Sequence, residues 1–394
     1  MTTLISFCPV CNGTKTHTFL RRENVPVHQN LVLSSTKEAL GVIRGDLVLA
    51  ACTDCGFVFN SAFDSAKLNY GADYDNTQSC SPYFGQYMND LAQHLVTKEG
   101  VRNCRIVEVG CGKGIFLRSL VENASYGNTG IGFDPSYVGS EIEMGGRLRF
   151  EKRFYDGACA DIPADVVICR HVIEHVTQPL ELLRAVRVAL RDAKSPRIYF
   201  ETPCVEWILR NQVIWDFFYE HCSLFTKASL RTAFEKTGFV VHSVSHVFGG
   251  QYLWLEAGLA DVSDVSDVSD VTVDAGGVPE LAKRYAEEEA RLCDEWRLRF
   301  VSLHGAGPVA VWGAGAKGTT FVHLVDPTRN MIDCVVDLNP NKQGKFVPGT
   351  GHPIVDMKEL SMRGVRAAVL MNPNYREENE RLLAAAGITV QLID

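Results

Sequence analysis

The middle and the C-terminal part of the chain alternate short apolar runs with helical patterns. The strand-length apolar runs of the middle part lie at residues 105–109, 130–134, 164–170 and 197–202. Strands that alternate with helices are typical of a parallel α/β sheet. A charged helix is predicted next, and it precedes a second set of predicted strands at 309–312, 334–337 and 367–371. The pattern therefore predicts two α/β domains in one chain.

Composition limits where the protein acts and what it binds. The 394 residues carry a net charge of −8, which disfavours attraction to nucleic acid or to an anionic membrane. No apolar run is long enough to span a bilayer, and the first residues lack the pattern of a leader peptide. We therefore expect a cytoplasmic protein whose partner is a small molecule, with no nucleic acid and no membrane as partner. The oligomeric state is left open.

Four of the 13 cysteines form two Cys-x-x-Cys pairs near the N-terminus. Cys8 and Cys11 make the first pair, and Cys52 and Cys55 make the second. This spacing lets both thiolates of one tight turn reach a metal, and two such turns complete a tetrahedron. We therefore expect a structural zinc site in place of four unrelated buried thiols, with no open position for catalysis. The odd total and the pairing also indicate a reducing compartment and metal binding, not a disulfide scaffold.

A glycine-rich turn follows the first strand of the middle part. Residues 108–114 read Glu-x-Gly-x-Gly-x-Gly, and Asp134 ends the next predicted strand, where its carboxylate can accept from two ribose hydroxyls. Glycines let the backbone turn sharply and approach a ligand closely. With a third strand that ends at Arg170, these motifs resemble class I S-adenosylmethionine-dependent methyltransferases. The resemblance implies a methyl-donor site that contains Glu108, Gly110, Gly112, Gly114, Asp134 and Arg170.

The segment after the third strand carries a competing motif. His171, Glu174 and His175 form a His-x-x-Glu-His pattern, which matches inverted zinc peptidases. Residues four apart share one face of a helix, so both histidines could bind a metal there. However, the segment lies where a methyltransferase faces its donor and acceptor. The favoured interpretation is therefore a pair of histidines whose hydrogen bonds are satisfied within the protein or which face the substrate.

An aromatic segment at residues 215–226 contains a candidate base. Glu220 and His221 follow Phe217, Phe218 and Tyr219 there. Aromatic rings can exclude water from a methyl-transfer pocket, and histidine titrates near the working pH, which suits proton abstraction. The alternative is an aromatic core cluster with a surface histidine.

The C-terminal α/β part has a glycine motif of its own. Residues 309–318 form a predicted strand that runs into Gly-x-Gly-x-x-Gly, and Asp337 ends the next strand. Amides at a helix start hold phosphate well, and Lys317 would add positive charge. Three interpretations stay open: binding of an acceptor phosphate, a purely structural Rossmann-like module, and binding of NAD.

In their order along the chain, these motifs resemble the C-methyltransferases of deoxysugar pathways, which act on nucleotide-linked 4-keto sugars. The resemblance implies that His221 is the catalytic base, that Glu220, His175 and Tyr219 share its catalytic site, and that His175 lies on a helix after the third strand. The similar enzymes tend to read Tyr-His-Glu-His where this chain has Phe218, Tyr219, Glu220 and His221. A pocket hydroxyl is then missing at Phe218 unless Tyr219 or Tyr83 replaces it.

The resemblance also gives the expected organisation and activity. The expected acceptor-binding residues are Tyr74, Tyr83, Phe218 and Lys317. The expected parts are a zinc-binding domain at 1–70, a class I methyltransferase Rossmann-like core at 71–258, an acidic linker at 259–278 and a second Rossmann-like α/β domain at 279–394. We expect enolate formation on a keto substrate and methyl transfer to carbon. O- or N-methylation, a non-catalytic nucleotide-binding module and an NAD-dependent oxidoreductase are the alternatives.

Overall fold

The fold is built around three β-sheets. The computed structural model describes residues 5–71, 74–76, 80–159, 161–260 and 274–394, so the acidic repeat of the predicted linker lies largely outside the described residues. The sheets have four, eight and five strands. Within these ranges, every helix is too short or too polar to cross a lipid bilayer. The predicted domain boundaries stay predictions.

The N-terminal sheet surrounds the paired cysteines. Its elements are β1 (Thr16–Pro26), α1 (Thr36–Leu40), β2 (Arg44–Cys52) and β3 (Val58–Asn60). The strands pair antiparallel, and the second Cys-x-x-Cys turn connects β2 to β3. The fourth strand comes from much later in the chain: Ser223–Leu224 pairs with β3 and directly follows the segment that holds His221. The N-terminal sheet is therefore completed by residues that the sequence assigns to the middle part.

The eight-stranded sheet confirms the predicted α/β core. Its helices are α2 (Pro82–Thr97), α3 (Ile115–Val121), α4 (Pro179–Ala189), α5 (Val205–Arg210) and α6 (Lys227–Glu235). Its strands, numbered around β10 (Ser223–Leu224), are β4 (Arg105–Val109), β5 (Thr129–Phe133), β6 (Ile142–Glu143), β7 (Leu148–Glu151), β8 (Val166–Arg170), β9 (Arg197–Pro203), β11 (Phe239–Val247) and β12 (Tyr252–Leu259). Their order is β11-β12-β9-β8-β4-β5-β7-β6.

Register in this sheet brings the predicted motifs together. Strand β4 pairs in parallel with both β5 and β8, with Val109 opposite Phe133 on one side and Cys169 on the other. The carboxyl ends of parallel strands meet at one edge, which is where ligands bind in open α/β sheets. The glycine turn after β4, Asp134 after β5 and His171 after β8 therefore lie side by side.

The C-terminal sheet is wholly parallel, as its glycine motif predicts. Its elements are α7 (Val278–His304), β13 (Val309–Trp312), α8 (Ala316–Val325), β14 (Ile332–Val336), β15 (Ile354–Val355), α9 (Glu359–Met362), β16 (Ala367–Leu370), α10 (Arg376–Ala385) and β17 (Gln391–Ile393). Their order is β15-β14-β13-β16-β17. The Rossmann-like topology again places the glycine turn at the carboxyl edge of the sheet.

Arg22 ties the three parts together. Its buried guanidinium donates to Glu289 on α7 at 2.7 Å and to the carbonyl oxygens of Phe217 and Ile214, each at 2.8 Å. The two carbonyls belong to the irregular segment that leads to His221. Because a buried charge is tolerated when it is paired and hydrogen-bonded, this contact fixes the segment between β1 and α7.

Candidate active site

A cavity of about 290 Å³ lies between the eight-stranded sheet and the C-terminal sheet. Its wall combines residues from all three parts of the protein. The lining residues include Asn30, Tyr74, His171, Glu174, His175, Phe218, Glu220, His221, Lys317, Lys342, Tyr375, Glu378 and Asn379. Polar groups that converge on a largely apolar concavity are typical of a small-molecule site.

His221 is held in this wall as a neutral imidazole. Burial lowers the pKa of the ring well below its usual range, and the neighbouring His175, His171 and Lys317 lower that pKa further. The ring lies 4.8 Å from His175, nearly perpendicular to it, and 4.0 Å from Phe218. A neutral imidazole beside a cavity can accept a proton from a bound molecule.

Glu220 faces the segment that follows strand β1. The Asn69 amide donates to His28 Nε2 at 2.9 Å, so His28 carries its proton on Nδ1 and donates it to Glu220 Oε1 at 3.3 Å. The amide of Gln29 donates to Glu220 Oε2 at 2.9 Å. The carboxylate is thus anchored by two donors, and this fixes the chain at the residue that precedes His221. Sequence reasoning missed His28, which lies 192 positions from its partner.

His175 lies in the wall, but the helix predicted for it is wrong. Residues Ile173–His175 form a single 3-10 turn, and His171 has φ of 54°. The inverted peptidase motif requires both histidines on one helix face, and His171 and His175 therefore do not meet that requirement. Instead Glu174, His175 and His221 bring ligand atoms within 4.8 Å of one another. The Tyr70 hydroxyl contacts His175 Nδ1 at 3.3 Å.

A buried charge cluster lies under His171. Arg170 Nε donates to Glu201 at 2.6 Å, and the His171 ring lies 3.4 Å from Glu201 and 3.5 Å from Glu174. Burial works to lower the pKa of His171, but Glu201 and Glu174 outweigh it and raise that pKa to about 9. His171 is therefore a cation that helps to keep His221 neutral. The guanidinium of Arg170 also lies over the Phe116 ring at 4.6 Å.

The glycine turn after β4 leaves space for a ligand. The amide of Gly112 donates to Asp134 Oδ2 at 2.8 Å, and a Cβ added at Gly112 would meet no atom within 4 Å. Gly110, Gly112 and Gly114 all have positive φ. Burial raises the pKa of the Glu108 carboxyl to about 8, although Arg170 opposes this. Because Glu108 Oε2 is buried with no hydrogen-bond partner among the described residues, the turn fits a ligand that can donate to it.

We expect Gly110→Ala to weaken binding at this turn and to destabilise the fold. Its φ is +70°, and the added Cβ would lie 2.0 Å from Val172 Cγ2. The strain and the clash together should cost about 2 kcal/mol or more of unfolding free energy. Urea unfolding and calorimetry with S-adenosylhomocysteine measure the two effects.

Gly145→Ala is the matched control, because Gly145 has φ of +66° and its added Cβ would meet nothing within 4 Å. It should show the backbone strain alone and keep ligand affinity. Equal losses in both variants would contradict the role of the close Gly110–Val172 packing.

Two predicted site residues, the catalytic candidate Tyr219 and the acceptor-binding candidate Tyr83, lie outside the cavity wall. The Tyr219 hydroxyl accepts from the Asp64 amide at 2.9 Å and is fully buried under the N-terminal sheet, outside the cavity wall. Tyr83 is 42% exposed and also lies outside this wall. Phe218 and Tyr74 line the cavity. Lys317 does too, but its ammonium group is already paired with Asp216 at 2.8 Å.

The two cysteine pairs converge as their spacing predicts. The Sγ atoms of Cys8, Cys11, Cys52 and Cys55 lie within 4.8 Å of one another. Cys8 is 3.6 Å from Cys55, and Cys11 is 3.5 Å from Cys52. Four sulfur donors at one point fit a tetrahedral zinc ion and leave no place for a fifth ligand.

Comparison with known proteins now adds to this geometry. Residues 81–244 match a family model described as a methyltransferase domain, and residues 279–387 match one described as a C-methyltransferase C-terminal domain. The chain is an S-adenosylmethionine-dependent methyltransferase. The first matched range contains the glycine turn, Asp134 and the His221 segment, and the second contains the C-terminal glycine motif.

The sequences and structures that resemble this chain align with only part of it. The ubiquinone biosynthesis O-methyltransferase of Aeromonas salmonicida is 25% identical over 164 residues, 38% of this chain and 68% of that protein. The Colwellia psychrerythraea protein of the same description is 27% identical over 125 residues, 30% of this chain and 50% of that protein. The chain thus spans about half to two thirds of the length of these relatives. A 1,6-didemethyltoxoflavin-N1-methyltransferase structure from Burkholderia thailandensis, with S-adenosylhomocysteine bound, is 15% identical with a TM-score of 0.34, covering 44% of this chain and 78% of that one.

Proposed function

We propose that this methyltransferase adds a methyl group to a carbon atom next to a ketone of a small, anionic acceptor, such as a nucleotide-linked keto sugar. The observation that carries the proposal is His221, a neutral imidazole in the wall of a cavity closed by the C-terminal domain. The match to a C-methyltransferase C-terminal domain supports the same chemistry.

The donor site of the proposal is the turn after β4. Gly110, Gly112 and Gly114 form its backbone, Asp134 accepts from the ribose hydroxyls, and Glu108 accepts from a donor group of the ligand. The open space at Gly112 and the unpaired Glu108 oxygen support this assignment. Arg170 supports this site indirectly, because it donates a hydrogen bond to Glu201, and it does not need to contact the ligand.

The acid–base chemistry follows from the histidine environments. A ketone acidifies the neighbouring C–H bond, and His221 removes that proton to leave an enolate. S-adenosylmethionine, when bound, would supply an electrophilic methyl group to the enolate carbon, with cleavage of the sulfur–methyl bond and release of S-adenosylhomocysteine. The proton stays on His221 until solvent removes it, and Glu220, held by His28, keeps the base in place. Cationic His171 in the wall favours the enolate charge.

The acceptor end of the cavity is positively charged through Lys342, not Lys317. Lys342 is 5% exposed, and its ammonium group donates to Asn30 Oδ1 at 3.2 Å and to the Ala314 carbonyl at 3.1 Å. It forms no ion pair with a carboxylate of the described residues. A buried ammonium group that has only neutral partners is costly unless an anion joins it. The nearby start of α8 favours the same kind of group, such as a phosphate.

Proton exchange tests the proposal. With thymidine diphosphate-linked 4-keto-6-deoxyglucose in deuterated buffer and no donor, we expect one proton next to the ketone to exchange with solvent. Adding S-adenosylmethionine should raise the product mass by one methylene, with a carbon-bound methyl group in the NMR spectrum. Methylation without exchange, or none with any keto sugar, would overturn the proposal.

O-methylation is the second candidate, because the curated relatives are described as O-methyltransferases. The same His221 would then deprotonate a hydroxyl group. An oxygen-bound methyl signal in the product spectrum would support this candidate over the first.

The cysteine cluster completes the proposal as a structural zinc site. Its role is to hold β2 and β3, and through β3 the strand β10 that follows His221. His28 and Gln29, which anchor Glu220, follow β1 of the same sheet. The zinc-binding domain is therefore part of the active-site framework.

A further inference from the structure

Two residues of the His-x-x-Glu-His motif meet a third possible metal ligand in the cavity wall. Glu174 and His175 come from the motif, and His221 comes from the aromatic segment. One ligand atom of each residue lies within 4.8 Å of the other two. Zinc lies about 2.0–2.2 Å from nitrogen and carboxylate ligands, so small side-chain rotations can bring all three atoms onto one ion. Because the three residues line the cavity, an ion held by them would face the acceptor.

One oxygen of Glu174 is available to such an ion. Oε2 accepts from the Thr202 hydroxyl at 3.0 Å, which orients the carboxylate. Oε1 is buried and has no hydrogen-bond partner in the part of the chain that the structure describes, although His171 Nδ1 approaches it at 3.5 Å. Because the His171 ring also lies 3.4 Å from Glu201, it keeps an ion-pair partner when Glu174 binds a metal.

The two histidines complete a three-ligand arrangement. The Tyr70 hydroxyl contacts His175 Nδ1 at 3.3 Å and orients that ring, as outer partners do for metal-bound histidines. The ring nitrogens of His221 form no hydrogen bond with the described residues, and Phe218 holds the ring at a centroid distance of 4.0 Å. Sites with three protein ligands keep a fourth position for water or another small ligand. That position would lie on the cavity side.

The chemistry of the three ligands selects the metal. Imidazole suits zinc, copper, nickel and iron, whereas Mg²⁺ and Ca²⁺ prefer oxygen ligands. Two imidazoles and one carboxylate therefore favour a divalent transition-metal ion over Mg²⁺ or Ca²⁺.

We propose that Glu174, His175 and His221 form a second metal site, which binds a divalent transition-metal ion such as Zn²⁺ in competition with the acceptor. The competition rests on the proposed function, because an ion bound to His221 occupies the ring that removes the substrate proton. Metal binding itself does not depend on the reaction. The site would thus make methyl transfer sensitive to the concentration of free zinc.

Metal binding without turnover tests the site. Full-length protein that carries one zinc ion per chain is titrated with Co²⁺, in the absence of donor and acceptor. We expect one cobalt ion per chain to bind without displacing zinc, and its visible spectrum to lack the thiolate band of a cysteine site. Glu174→Gln keeps an oxygen for the Thr202 hydroxyl and should weaken Co²⁺ binding about tenfold or more, since loss of an outer partner alone costs about 10- to 100-fold.

His94→Ala is the matched control for this titration. His94, Glu99 and Glu256 also bring ligand atoms within 4.8 Å of one another, but the His94 side chain is 47% exposed. This variant should keep the second metal. If the cobalt ion instead disappears in His94→Ala and stays in a Glu174→Gln variant of unchanged melting temperature, the proposal is wrong. Failure of the one-zinc protein to bind any cobalt would also overturn it.

Inhibition kinetics tests the competition. Added Zn²⁺ should raise the apparent KM for the keto acceptor and leave kcat unchanged, and Mg²⁺ at the same concentration should have no effect. Citrate should restore the rate while one zinc ion per chain remains. Inhibition that leaves KM unchanged, or equal inhibition by Mg²⁺, would contradict the competition. Cobalt binding by a protein that methylates no keto substrate would support the metal site and remove the proposed function.

Discussion

Replacing His221 by alanine should lower the methyl-transfer rate by about a hundredfold to ten-thousandfold, the range expected when a positioned general base is lost. The ring is the neutral imidazole of the cavity wall, and its loss removes the acceptor for the substrate proton. Donor binding depends on the turn after β4, so calorimetric affinity for S-adenosylhomocysteine should not change. Solvent exchange of the acceptor proton should disappear with turnover.

The pH profile gives an independent check of the same base. The pKa of His221 lies well below its usual range because burial disfavours the charged ring. The neutral, active form therefore persists as the pH falls through the ordinary histidine range, and the rate should decline only at lower pH. His242→Ala, an exposed histidine, is the control and should leave rate and profile unchanged. Retained exchange in His221→Ala would identify another base.

Local patterns predicted the strands and the glycine turns well because these depend on neighbouring residues. The predicted strand at 105–109 matches β4 in the structure. The turn after it has positive φ at three glycines, a conformation that glycine adopts more easily than other residues. The cysteine cluster was also predictable, because the spacing of each pair places two thiols in one tight turn. The conformation of the His-x-x-Glu-His segment was harder to predict, because His171 has φ of 54°, which is incompatible with a helix at that residue.

Contacts between distant segments could not be predicted in this way. Phe218 and Tyr219 are adjacent in an irregular segment, so no periodic pattern predicts which of the two rings faces the cavity. The structure places Phe218 in the cavity wall and Tyr219 under the N-terminal sheet. Lys317 stands in the glycine motif, but its salt bridge with Asp216 spans 101 positions. His28 carries no motif at all, and only the folded chain brings it to Glu220.

The second large effect should follow from loss of the cysteine cluster. Cys52→Ser or Cys55→Ser removes one ligand of the proposed zinc ion, and structural zinc contributes about 10 kcal/mol or more to the folding of small domains. β3 begins three residues after Cys55 and pairs with β10, and the Asn60 amide donates to the Cys222 carbonyl at 2.9 Å. We therefore expect the variants to lose metal, melt at lower temperature and lose methyl transfer together.

Cys293→Ser provides the matched control, because Cys293 is a buried thiol on α7 outside the cluster. It should keep one zinc per chain by elemental analysis, and its melting temperature should fall only slightly. Chelation of the natural chain should reproduce the ligand variants and be reversed by added zinc. The sheet next to the cysteines includes β10, and His28 follows its strand β1. A cluster variant that lost its metal and kept full turnover would therefore show that the active-site framework does not depend on the cluster.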